Sequence, residues 1–244
     1  MSKQVIIVLV EGQSDETLLY ERLRELYRGC EIRFEIKRGD IFYDNKNGSK
    51  SIKSIIGDCV KEIVQRRKYK KKDILSVIHI MDTDGCFIPA EKVIVDATQE
   101  VTTFYELNNI IVNSPKQKNN IEIRNRIRST NVDTMTSVDS IVTKAYKYQI
   151  YYFSRNLEHV IFNEPNPIQD TKEENIEVFL EQIEIEGNSI EQYLSTYFIG
   201  VSGTSYSDMY RESWGIIKSN TNSLKRSTNV PLMFEYINRI LEEF

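Results

Sequence analysis

Ile74-Leu75-Ser76-Val77-Ile78-His79-Ile80-Met81-Asp82-Thr83-Asp84-Gly85 is an apolar run that stops abruptly on two acids and a glycine. A run rich in isoleucine and valine, too short for a core helix, predicts a strand buried on both faces, as parallel sheets require. His79 inside it reads as a hydrogen-bonded core histidine. Near the amino terminus the design repeats: Gln4 to Val10 is a second such run, and it ends on Glu11-Gly12. Between the two, the pattern predicts helix, strand and helix. Ser14 reads as the N-cap of a helix striped by Leu19, Leu23, Leu26 and Tyr27 and closed near Gly29. Glu31 to Lys37 sets Ile32, Phe34 and Ile36 against charged neighbours, as a half-buried strand near a sheet edge does. A polar loop follows from Gly39 to Lys50. From Ser49 to about Arg67, Ile52, Ile55, Ile56, Cys59, Val60, Ile63 and Val64 recur at helical spacing. Strands alternating with helices predict an α/β fold, a mostly parallel sheet flanked by helices.

Beyond Gly85 the signal loosens. Short strands are expected at Lys92 to Asp96 and Asn109 to Val112, and a polar stretch from Ser114 to about Ser140 reads as helices and loops of an insertion spanning about 98–148. Strand character returns over Gln149 to Phe153, and Arg155 to Phe162 suits a short helix. Past Pro165 and Pro167 the stripes are helical: Ile176, Phe179, Leu180 and Ile183, then Met233, Tyr236, Ile237, Ile240 and Leu241 behind Asn229 and Pro231. The expectation is an α/β domain over 1–165 with a helical carboxyl-terminal extension over 166–244.

The bulk composition narrows the function classes. Of the 244 residues, 40% are apolar and 28% charged, and no apolar run approaches the roughly 18 residues of a membrane span. The amino-terminal run reads as a strand and not a signal peptide, so a cytoplasmic protein without a membrane partner is expected. Three scattered cysteines and two histidines support neither a disulfide framework nor a zinc site. A net charge of −4 offers nucleic acid no blanket attraction. Any such contact must be local, at Arg66 to Lys72, at Lys116 and Lys118, or at Arg124, Arg126 and Arg128; taken singly, each cluster reads first as a solvated helix end or loop.

In a parallel sheet all strands point one way, so residues just past their ends gather on one edge, where α/β proteins bind ligands. Glu11, Asp82 and Asp84 are expected there. Asp82 and Asp84 offer hard oxygen donors to Mg²⁺ or Mn²⁺, and such a cation bridges phosphate oxygens and lowers the pKa of its water. Glu11 either takes a proton or holds a second metal, and the crowding of three acids itself asks for a cation. Gly12 and the helix start at Ser14 offer backbone amides to a phosphate. Asp15 reads either as a further metal ligand or as a first-turn acid that favours the helix dipole.

The motif Val8-Leu9-Val10-Glu11-Gly12-Gln13-Ser14-Asp15-Glu16 resembles the first motif of the Toprim family, and Ile80-Met81-Asp82-Thr83-Asp84-Gly85 resembles its DxD motif. Roughly residues 4 to 97 carry the resemblance. It implies a Toprim fold, Mg²⁺ or Mn²⁺ as cofactor, and phosphoryl transfer on DNA or RNA by Glu11, Asp82 and Asp84. Ser154-Arg155-Asn156-Leu157-Glu158 resembles a degraded motif of OLD-like and small stand-alone Toprim nucleases, without its usual Pro and Phe. That likeness makes Glu158 a further metal ligand; read without it, Glu158 is an exposed helical acid beside His159. Small Toprim proteins of this kind imply a phage-defence or restriction setting with a separate ATPase, since this chain carries no Walker A loop. A topoisomerase would need a tyrosine on a further domain, and a primase a zinc-binding segment. Two alternatives compete: a nucleotide-sugar glycosyltransferase using the DxD, which leaves Glu11-Gly12 unexplained, and a non-catalytic Toprim module that binds nucleic acid or a partner. A phosphate-accepting receiver domain is set aside, because that chemistry wants acids after the first strand and a single Asp later.

Overall fold

The computed structural model describes residues 4–36, 40–43, 50–167, 172–198 and 200–243. Lys37, Gly39 and Ser49, which bound the expected second strand, polar loop and second helix, lie outside the described residues. The chain folds as β1 (Val5–Val10), α1 (Gln13–Leu26), β2 (Glu31–Ile36), α2 (Ile52–Arg67) and β3 (Ile74–Asp82). Three short strands follow, β4 (Val93–Val95), β5 (Thr103–Tyr105) and β6 (Ile110–Val112), then α3 (Pro115–Thr136), β7 (Ser140–Ile141) and β8 (Tyr146–Phe153). Helices complete it: α4 (Leu157–Phe162), α5 (Lys172–Ile185), α6 (Ile190–Ser195), α7 (Tyr206–Ile217) and α8 (Pro231–Glu242). None of the described helices is long and apolar enough to cross a membrane.

The main sheet runs β2-β1-β3-β8-β7. β1 pairs in parallel with both β2 and β3, and β8 pairs in parallel with β3. Only the two-residue β7 is antiparallel, which makes the sheet mixed. β1 is apolar throughout because both of its faces are covered. Ile6, Val8 and Val10 meet Leu18, Leu19 and Leu23 of α1 together with α8, whereas Val5, Ile7 and Leu9 meet α2, Val132 and Met135 of α3, and Trp214 of α7. Each fully buried side chain of this kind contributes about 1.5–3 kcal/mol. Residues past 166 therefore help to cover both faces of the sheet. His79 is a core histidine as expected: its Nδ1 bonds to the Tyr148 hydroxyl at 3.0 Å, its ring stacks on Phe42, and burial depresses its pKa to about 3.

Two local expectations need correction. α1 begins at Gln13 with Gly12 as its N-cap, so Ser14 lies within the first turn and is not the cap. The reason is Asp15, whose carboxylate reaches back to accept the Gly12 N–H at 3.0 Å. The polar stretch after Ser114 is a single 22-residue helix, α3, and it is not peripheral, because Val132 and Met135 are fully buried against the sheet. Its buried stripe is Ile121, Asn125, Arg128, Val132 and Met135, with spacings of four, three, four and three residues. Two polar members in that stripe hide the helix from a hydropathy reading.

Candidate active site

β1, β3 and β8 are parallel neighbours, so their carboxyl ends open on one edge, with Asp82 opposite Phe153 in the register. Glu11, the Asp82 to Gly85 turn and the Ser154 to Glu158 segment follow those ends. Hydrogen bonds continue past the strands: Thr83 N–H donates to the Phe153 carbonyl at 3.0 Å and Asp84 N–H to the Arg155 carbonyl at 2.9 Å. Arg155 N–H in turn donates to Thr83 Oγ1 at 2.7 Å. This lattice holds two residues in left-handed backbone, Asp84 at φ +47° and Arg155 at φ +63°. An aspartate tolerates that region, but an arginine there is strained and persists only where its surroundings over-determine it. Gly85 follows at φ +65°, where a Cβ would lie 2.6 Å from Leu224 Cδ2.

The centre of the site is a cation that the chain supplies itself. The Arg128 side chain is 1% exposed, and its Nη2 donates to Glu11 Oε1 at 3.0 Å while Nη1 meets Asp84 Oδ2 at 3.1 Å. Nη1 also pairs with Asp40, and Nη2 donates to the Asp82 carbonyl. A planar guanidinium with five donors suits this fan of acceptors. Asp40 is held for the role by a turn in which its Oδ1 accepts the Phe42 N–H at 3.1 Å. Arg124, one helical turn before Arg128, donates to the Asp84 carbonyl at 2.8 Å and to the Tyr105 hydroxyl at 3.2 Å. The Arg155 guanidinium lies over the Tyr105 ring at 4.3 Å, and its Nη1 is buried with no hydrogen-bond partner.

Asp82 faces a different environment. Its Oδ1 is sealed from solvent and has no hydrogen-bond partner. Burial, then the charges of Asp15, Glu11, Asp84 and Glu158, hold its carboxyl well above the usual carboxylate range, so the charges that act on it most are all negative. Burial likewise pushes Glu11 up to about 8, against the pull of Arg128 and with help from Asp84, Asp40 and Asp15. Asp15 and Glu158 are themselves 5% and 4% exposed. Glu158 is thus not an exposed helical acid: it sits in the first turn of α4, behind the Asn156 cap, and turns inward. His159 beside it is also buried, and desolvation depresses its pKa to about 4.

These observations bear on a divalent cation in two ways. Hard carboxylate donors, an unsatisfied buried Asp82 oxygen and a field of one sign suit such an ion. Yet among the described residues no three acids, imidazoles or thiolates are already drawn in around one point to hold it. Glu11 and Asp84, two of the three expected core ligands, are engaged by Arg128. The Gly12 amide, expected to face a phosphate, is engaged by Asp15, and Ser14 lies beside it in the first turn. The basic clusters divide. Arg66 and Arg67 pair with Glu35, and Lys118 with Glu122, as solvated helix faces do, whereas Arg124 and Arg128 point into the site. Sequence reasoning missed Asp40, took Arg128 only as a candidate phosphate contact, and gave Arg155 no role of its own. The available signal was the spacing of Arg124 and Arg128, four apart on the stripe that also carries Ile121, Val132 and Met135.

No protein-family model matches the chain, and no curated protein matches it either.

Proposed function

We propose that this protein is a Toprim-type, divalent-cation-dependent phosphodiesterase acting on DNA or RNA, in the cytoplasm and with a separate ATPase as its partner. The observation that carries the reading is the sealed, unpartnered Oδ1 of Asp82, which feels the charges of Asp15, Glu11, Asp84 and Glu158 at the carboxyl edge of three parallel strands. Further support comes from the order of the motifs: Glu11-Gly12, Asp82-Thr83-Asp84-Gly85 and Ser154 to Glu158 follow the ends of adjacent strands, as the resemblance implies. Asp82, with Asp15 and Glu158 beside it, would hold Mg²⁺ or Mn²⁺. That cation supplies neutralisation of phosphate charge and a bound water of lowered pKa.

The chain's own groups do the rest. Glu11, pushed up to about 8 without a cation, would give up its proton when one binds nearby and, as the carboxylate, accept one from an attacking water. Arg128 fixes Glu11 and Asp84 through charged hydrogen bonds, so neither carboxylate swings. Arg155, with a donor unspent beside Asp84, adds the positive field a phosphate needs. One observation favours a second reading, the non-catalytic module: Arg128 already neutralises two of the three core acids.

Incubation with plasmid DNA, single-stranded DNA and structured RNA, in Mg²⁺, Mn²⁺ or EDTA, separates them. Cleavage that needs the metal and disappears in Glu11→Gln, with the fold intact by circular dichroism, is the expected result, because Gln keeps the shape of Glu without taking a proton. Absence of cutting under every metal makes the binding module the better account.

A further inference from the structure

We infer that Arg128 is a resident cation standing where a second metal ion would sit, so that the site is built for one divalent ion, on the Asp82 side. The inference rests on the metal-dependent reading above and deepens it. Two-metal phosphoryl-transfer sites place their ions about 3.5–4 Å apart and hold them between shared carboxylates. Here the space between Glu11, Asp84 and Asp40 is filled by one guanidinium that contacts all three.

The filling is structural. Arg128 projects from the middle of α3, whose Val132 and Met135 are fully buried against the sheet one and two turns further on. Its side chain is 1% exposed and its two terminal nitrogens are held by Glu11, Asp84, Asp40 and the Asp82 carbonyl, so leaving the space would break all of these contacts. An ion entering between Glu11 and Asp84 would therefore have to share the space with a buried positive charge. The Asp82 oxygen shows the opposite balance. Oδ1 has no donor, and Arg128 reaches the residue only through its carbonyl. A fork-shaped guanidinium gives Glu11 and Asp84 a fixed partner in every state of the reaction, whereas an ion would come and go.

Manganese titration of the full chain, by calorimetry and by loss of the free-ion electron paramagnetic resonance signal, tests this. The expected result is one Mn²⁺ per chain. Asp82→Asn should weaken it at least ~10-fold and by clearly more than Asp84→Asn does, because the first removes a ligand and the second a neighbour already paired with Arg128. Arg128→Met should admit a second Mn²⁺, which a further Asp84→Asn removes. If Arg128→Met fails to fold, the contrast between Asp82→Asn and Asp84→Asn still decides. Two Mn²⁺ in the wild type, or equal losses in the two Asn variants, overturns the inference and leaves the metal reading standing. No Mn²⁺ at all overturns both, and the cleavage assay then judges the phosphodiesterase reading separately.

Discussion

Replacing Arg128 by Met keeps most of the side chain's length and removes its charge. The loss should exceed that of an ordinary buried substitution, since Glu11, Asp40 and Asp84 all remain. Removing one partner of a buried ion pair costs about 3–5 kcal/mol, because the other charge is left without compensation. Three carboxylates do not triple that figure here. Their side chains are 20%, 22% and 32% exposed, so water relieves part of the repulsion. A destabilisation of about 3–4 kcal/mol at pH 7 follows, a large part of the roughly 5–15 kcal/mol that holds a domain together. Urea unfolding read by the single tryptophan, Trp214, packed edge-on against Tyr152, measures it. The loss should be smaller at pH 5 than at pH 8, because Glu11, with its pKa raised to about 8, holds a proton at the lower pH and then needs no compensating charge. A cost under about 1 kcal/mol, or one that does not change with pH, would refute the account, since the guanidinium would then be packing and not charge compensation.

Stability of the metal-free protein should fall as pH rises from about 4.5 to about 8. Glu11 has its folded pKa raised from 4.5 to about 8, so the folded state binds more protons than the unfolded one across that window. Urea midpoints at several pH values should show a decline on the order of a few kcal/mol that Glu11→Gln reduces, the remainder belonging to Asp82, and a rise with pH would contradict the assignment. Gly85→Ala should cost about 1–3 kcal/mol in thermal unfolding, as the new Cβ meets Leu224 at 2.6 Å in left-handed backbone. Its Mn²⁺ affinity should drop as well, because Asp82 opens the same turn; unchanged stability would mean that the turn relaxes freely.

Much of this molecule is legible in its sequence because the deciding signals are local. The apolar runs of β1 and β3 and the helical stripes of α1 and α2 are patterns within a dozen residues, and they place Glu11, Asp82 and Asp84 just past the ends of two strands. That the two strands are parallel neighbours follows from their shared burial and the helices between them. The partners of those acids belong to a different scale. Glu11 and Arg128 are separated by 117 positions, and no local pattern links them. An arginine in a polar, weakly amphipathic stretch reads as solvated, yet α3 packs Val132 and Met135 against the sheet and turns that position inward. Glu158 changed for the same reason. β8 pairs with β3 so that Phe153 stands opposite Asp82, and the first turn of α4 then carries its acid into the cluster. Sequence settles which residues form strands and which acids end them, since side-chain alternation and chain stiffness act between near neighbours. Only the tertiary structure decides what neutralises those acids, because charge compensation in a buried site depends on distances across the fold.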